Sequence, residues 1–176
     1  LREQNEKNKN KVFSGVAASV DCNSRWVFLD PFRGTIAAVA ESARNVSCVG
    51  AEPVAITNNL NFPSPETDIG YWQLSSSCNG ISEACKAFET PVTGGNVSLY
   101  NESKNKENEI TPINPTPVIG MVGKIDNVEK AISSEWKNIH DQIWLIGSYK
   151  SETTISASSY LEYFHGEITG RPPKLD

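Results

Sequence analysis

Two helical stripes, each standing between short apolar runs, constrain this chain more than any other feature. Ile36, Val39, Ala40, Ala43 and Val46 recur at helical spacing and predict a helix over 35–49, closed by Gly50 as a left-handed cap. A second stripe predicts a helix over 69–88 with Trp72, Leu74, Cys78, Ile81 and Cys85 facing inward. Residues 12–20 and 26–29 read as strands before the first helix, 53–57 between the two, and 91–93 and 117–125 after the second. A helix set between two strands buries its stripe on the sheet that they form. The order therefore predicts an α+β fold, with a mostly antiparallel sheet and the helices on one face.

The connections read as follows. Asp30-Pro31-Phe32-Arg33-Gly34 predicts a tight loop, in which Asp30 and Arg33 read as a structural ion pair or helix cap, with a ligand role as the alternative. Residues 58–65 predict a long polar turn, and the Asn-, Lys- and Glu-rich stretch 102–114 an exposed hairpin loop. A short helix capped by Asp126 is expected over 126–132, and residues 143–147 read as the first strand of a further unit. The implied domains are a disordered lead-in over 1–10, an α+β domain over 11–125, and a linker with the incomplete start of another domain over 126–176. Leu1 at one end and Pro172-Pro173-Lys174-Leu175-Asp176 at the other read as cut ends of a larger protein.

Composition removes several function classes. The chain of 176 residues carries a net charge of −5 and no basic stripe, which argues against nucleic acid as a partner. No apolar run reaches the roughly 20 residues of a membrane helix. Cys22, Cys48, Cys78 and Cys85 include no CxxC pair, so they predict buried reduced thiols rather than a zinc site, and a cytoplasmic location. His140 and His165 both lie outside the motif-rich region, and His140 reads as a surface residue.

The candidate site is Gly94-Gly95-Asn96-Val97-Ser98. Two glycines are expected to end the strand and to let backbone N–H groups approach a phosphate. Asn96 offers the hard carbonyl oxygen that Mg²⁺ accepts, and Ser98 lies two residues on, on the same strand face. The competing structural reading is a strand bulge at the glycines, with Asn96 and Ser98 bonding a local turn.

Longer matching text makes the site specific. Val27-Phe28-Leu29-Asp30-Pro31-Phe32-Arg33-Gly34, Ala40-Glu41-Ser42-Ala43-Arg44-Asn45, Thr57-Asn58-Asn59-Leu60-Asn61-Phe62 and Gly95-Asn96-Val97-Ser98-Leu99-Tyr100-Asn101 together resemble the synthetase subunits of phosphoribosylformylglycinamidine synthase, in the aminoimidazole-ribotide-synthetase-like superfamily. The resemblance covers about residues 11–176 and implies the N-terminal domain of the second of two homologous halves. Such domains pair their sheets into a barrel-like core. The implied reaction is an ATP-dependent ligation in purine biosynthesis: formylglycinamide ribonucleotide and glutamine-derived ammonia give formylglycinamidine ribonucleotide. Mg²⁺ is the implied cofactor and ATP a substrate.

By this resemblance Asn58 and Gly95 match nucleotide contacts, Asn96 a magnesium ligand and Ser98 a substrate contact. No catalytic residue is expected here, because the family's catalytic His lies in the other half. Asn58 stands where the family pattern has Asp, which keeps an acceptor, adds a donor and loses a charge. Pro63 stands where the pattern has Gly. The implied partners are the first half of the same synthetase chain, a glutaminase subunit and a small accessory subunit. The alternative is a non-catalytic module that holds a structural nucleotide and pairs with the other half. The isolated chain is expected to form a homodimer through its uncovered sheet.

Overall fold

The computed structural model describes residues 12–147 and 154–175. The predicted lead-in over 1–10 lies outside the described residues. Four strands make the main sheet: β1 (Gly15–Asp21), β2 (Glu52–Asn61), β3 (Val92–Ser98) and β6 (Thr116–Ile125), in the order β1-β6-β2-β3. β6 pairs antiparallel with both β1 and β2, while β3 lies parallel to β2 at the edge. A parallel neighbour needs a crossover, and α3 (Asp68–Ala87) supplies it. A small hairpin of β4 (Glu102–Lys104) and β5 (Ile110–Pro112) occupies the predicted exposed loop.

α2 (Pro31–Cys48) and α3 cover one face of the sheet, as the stripes require. Asp30 caps α2, accepting from the Arg33 N–H at 3.0 Å, and Pro31 stands in the first turn where no N–H is needed. Thr67 caps α3 in the same way through the Gly70 N–H at 3.1 Å. Val39, Val46, Ile81, Ile56, Phe62, Ile119 and Met121 interlock between helices and sheet as one core. β6 shows the alternation plainly, with Pro117, Ile119, Met121, Gly123 and Ile125 inward. The opposite sheet face is open, and Val16 and Val20 there are 77% and 72% exposed.

Several local expectations are corrected. The expected strand over 26–29 is instead a helix, α1 (Ser24–Leu29), because Asn23 captures the Trp26 N–H and starts a turn. Val27 is fully buried there, and its backbone lies so close to Gly34 that a Cβ on that glycine would not fit. The expected loop over 30–34 is the capped first turn of α2. Residues 58–61 of the expected polar turn continue β2, because β3 and β6 satisfy their backbone on both sides. The glycine pair does not end a strand; β3 runs through it to Ser98.

Gly50 adopts a positive φ of 91°, as expected of a helix-ending glycine. Asn127 rather than Asp126 caps a single 3₁₀ turn over Val128–Lys130, since its side chain accepts the Glu129 N–H at 2.9 Å. Residues 143–147 form no strand and are exposed, with no neighbouring strand to pair with among the described residues. Trp72 and Cys78 are exposed, since the inward face of α3 instead runs through Gln73, Ser77, Gly80, Ile81, Ala84 and Cys85. Cys48 is exposed as well, at the end of α2, and only Cys85 of the four thiols is buried.

Candidate functional site

The parallel β2–β3 pair brings the predicted site residues together by register: Asn58 opposite Gly95, Asn59 opposite Asn96, and Asn61 opposite Ser98. Strand alternation then divides them between two faces. Ile56, Asn58 and Leu60 point toward α3, so Asn58 and Gly95 lie on the helix side. Asn59, Asn61, Asn96 and Ser98 lie on the open side. The four predicted residues therefore occupy one strand pair but not one surface.

On the helix side, Asn58 lines a groove of about 540 Å³ with Cys78, Ile81, Cys85, Lys86 and Val92. Desolvation against the groove wall pushes up the buried Cys85 thiol and also the Cys78 thiol, although that residue is exposed as a whole, so the groove offers no thiolate near neutral pH. Gly95 packs directly on Asn58: a Cβ there would run into its carbonyl oxygen and its side-chain Oδ1. That glycine has a structural reason of its own, the close approach of two strands. Around Gly94, by contrast, there is open space, and β3 has no strand on its outer edge among the described residues. Unpaired backbone groups of an edge strand remain available to a ligand at that place.

On the open side, Asn96 Nδ2 donates to Asn59 Oδ1 at 3.3 Å. This bond orients the Asn96 amide and leaves its Oδ1 uncommitted, as a hard cation would require. Among the described residues no three His, Cys, Asp or Glu side chains gather where a cation could sit, so this surface sets no carboxylate cluster beside the neutral oxygen of Asn96. Ser98 Oγ donates to Asn101 Oδ1 at 3.2 Å, and Asn101 Nδ2 returns to the Ser98 carbonyl at 2.8 Å and the Phe62 carbonyl at 3.1 Å. Asn101 thus fixes the end of β3 and the rotamer of Ser98. Thr57 Oγ1 donates to the Gly94 carbonyl at 3.1 Å and ties the glycine pair to β2.

Sequence reasoning missed Asn101 as an organiser of Ser98, and gave Asn59 and Asn61 no role in the candidate site. The period-two spacing of Thr57, Asn59 and Asn61 was the available signal, hidden because asparagine disfavours strands. Asp30 and Arg33 hold structure, as expected, through the cap and an ion pair at 3.8 Å.

Comparison with known proteins follows the same residues. The model of AIR synthase related protein, N-terminal domain, matches residues 10–125. Over its whole length the chain is 93% identical to phosphoribosylformylglycinamidine synthase subunit PurL of Prochlorococcus marinus strain MIT 9312, covering 23% of that protein. The chain thus spans about a quarter of the curated relatives it matches. Among solved structures, Thermotoga maritima PurL complexed with AMPPCP superposes with a TM-score of 0.62 at 36% identity, over 72% of this chain and 20% of that one. The same protein complexed with FGAR gives a TM-score of 0.61 at 36% identity, over 72% and 20%. The matched stretch takes in both long helices and all four strands of the main sheet, and by it the chain belongs to the family of AIR synthase related proteins.

Proposed function

We propose that this domain is the second-half N-terminal domain of a phosphoribosylformylglycinamidine synthase, and that it forms one wall of the ligase site. The observation that carries the reading is the β2–β3 pair. It holds Asn58 and Gly95 beside an unpaired strand edge, and Asn96 and Ser98 on the open face, in a chain 93% identical to a PurL subunit. The T. maritima neighbours bound to AMPPCP and to FGAR support nucleotide and formylglycinamide ribonucleotide as the ligands.

In the proposed reaction the amide oxygen of the substrate takes the γ-phosphoryl group of ATP, releasing ADP. Ammonia then adds at the activated carbon and phosphate leaves. Positioning and charge neutralisation dominate such transfers. In this reading the backbone beside Gly94 and Gly95 meets phosphate oxygens, and Asn58 holds the nucleotide. Ser98, its rotamer fixed by Asn101, donates to the substrate. Asn96 Oδ1 is the ligand this domain offers to Mg²⁺, which neutralises phosphate charge when bound. One neutral oxygen cannot hold such an ion, so the remaining ligands come from the first half of the synthetase.

The open sheet face supports a pairing role. Val16, Val20 and Val122 form an apolar surface on it, suited to a sister domain's sheet in a barrel-like core. A glutaminase subunit, a small accessory subunit and a cytoplasmic setting complete the proposal. No helix among the described residues is long and apolar enough to cross a membrane. The reading includes a domain boundary near residue 125; that β6 and the family match both end there supports it. Residues 126–176 are then a linker and the start of a C-terminal-type domain.

The test is steady-state turnover of the full-length synthetase carrying Asn96→Ala. Activity is expected to fall by about 10- to 100-fold, as for loss of a group that supports a bound metal. Near-normal turnover with a normal Mg²⁺ requirement would remove Asn96 from the site and leave the non-catalytic pairing module as the better reading.

A further inference from the structure

Residues 154–175 follow a long exposed stretch, yet they return to the domain. Among the described residues, the side-chain hydrogen bonds and ion pairs that join them to it fall on the corner between α1 and α2. Trp26 Nε1 donates to the Ala157 carbonyl at 2.9 Å, and Arg25 Nη2 to Ser159 Oγ at 2.9 Å. Arg25 also pairs with Glu162. At the other end, Arg33 Nη1 donates to the Pro172 carbonyl at 3.2 Å, and Arg171 Nε meets Asp30 Oδ2 at 3.0 Å. Ala157 and Pro172, the two landing points, are buried, whereas residues 128–147 are exposed throughout.

The segment is also closed on itself. Helix α4 (Ser159–His165) is capped by Ser158 and ended by Gly166 at a φ of 69°. The Ala157 N–H donates to the Thr169 carbonyl at 2.9 Å. Gly170 sits at a φ of 88°, and a Cβ on it would collide with the Ser156 side chain. The two arms of the loop therefore touch at Ser156 and Gly170, and the loop meets the domain as a unit.

We propose that residues 154–175 form a self-closed strap that locks the α1–α2 corner. Asp30 is its receptor: one carboxylate oxygen starts α2 by capping Arg33, and the other receives Arg171. The strap thus couples the chain around it to the first turn of the helix that covers the main sheet. It also explains why residues 24–29 settle as a helix, because the Trp26 indole is held by a carbonyl 131 residues away.

The experiment is hydrogen exchange by NMR on the intact chain, with Gly170→Ala and Arg171→Met. The first forces a side chain into a left-handed, crowded position, and the second removes the ion pair while keeping the Asp30 cap. Exchange of the Trp26 indole N–H and of the Ala157 and Asp30 amides is expected to rise about 10-fold in Arg171→Met and further in Gly170→Ala. Ile119 and Met121 amides are expected to keep their wild-type rates. Wild-type rates at Trp26 and Ala157 in both variants would overturn the proposal. So would unprotected exchange of the Ala157 amide in the unaltered chain, or an equal rise across Ile119 and Met121, which would mark general destabilisation instead.

Discussion

Adjacent glycines on β3 are expected to answer the same added methyl group in opposite ways. Glycine inside a strand costs about 0.5–1 kcal/mol relative to alanine, through the freedom that it loses on folding. At Gly94 nothing lies within 4 Å of the added Cβ, so Gly94→Ala keeps that gain. At Gly95 the Cβ meets the Asn58 carbonyl, which belongs to a strand held on its far side by β6 and cannot retreat. Overpacking of this kind costs about 1–3 kcal/mol, and a backbone obstacle puts it in the upper half of that range. The balance leaves Gly95→Ala destabilised by about 1–2.5 kcal/mol. At this chain length each kcal/mol moves Tm by about 2–4 °C, so Tm is expected to fall by about 2–10 °C in Gly95→Ala and to rise by about 1–4 °C in Gly94→Ala. Urea unfolding followed by circular dichroism gives the same comparison through the midpoint at constant slope. Shifts of the same sign and size in both variants would mean that β3 does not lie on β2 in this register.

Other outcomes follow from the same contacts. Ser42 is fully buried and its Oγ donates to Asp21 Oδ2 at 2.8 Å, so Ser42→Ala is expected to cost about 1.5–3 kcal/mol in urea unfolding. Phe62→Ala opens a cavity at the sheet end of the core and is expected to cost about 3–5 kcal/mol by the same assay. Burial, with Glu41 nearby, pushes the Cys22 thiol from 9.0 up to about 11. The folded state then resists an ionisation that the unfolded chain undergoes, so this contribution to stability is whole below pH 9 and is lost between about pH 9 and 11. Cys22→Ser is expected to flatten that decline, and an unchanged pH profile would exclude the thiol as its source. The isolated chain is expected to sediment as a dimer at tens of micromolar, and Val16→Lys with Val20→Lys to return it to monomer; a clean monomer of the unaltered chain would refute the sheet-pairing surface.

Long-period features were legible in the sequence. The stripe of α2, the presence of α3, the strand at β6 and the turn at Gly50 all depend on local spacing that folding preserves, although the inward face of α3 passes through Gln73 and Ser77 rather than Trp72 and Cys78. What escaped depends on partners distant in sequence. Residues 26–29 carry apolar text fit for a strand, but the Asn23 cap and the distant Ala157 carbonyl select a helix. Asn58, Asn59 and Asn61 look like turn residues until β3 and β6 are laid on either side of them. The candidate site was read as one cluster because its residues are close in sequence; strand alternation instead sends Gly95 and Asn96 to opposite faces. Asn101 was unreadable as an organiser of Ser98, since its role rests on the Phe62 carbonyl across the sheet end.

Titration calorimetry with Mg²⁺-ADP, on the full-length synthetase and on this chain in parallel, tests the central claim most directly. The account predicts binding to the full-length protein, weakened about 10-fold or more by Asn96→Ala, and no binding to the chain alone, whose described residues gather no cluster of His, Cys, Asp or Glu to hold the metal. Binding to the chain alone as tight as to the whole enzyme, or full affinity in Asn96→Ala, would contradict a site that this domain only helps to enclose.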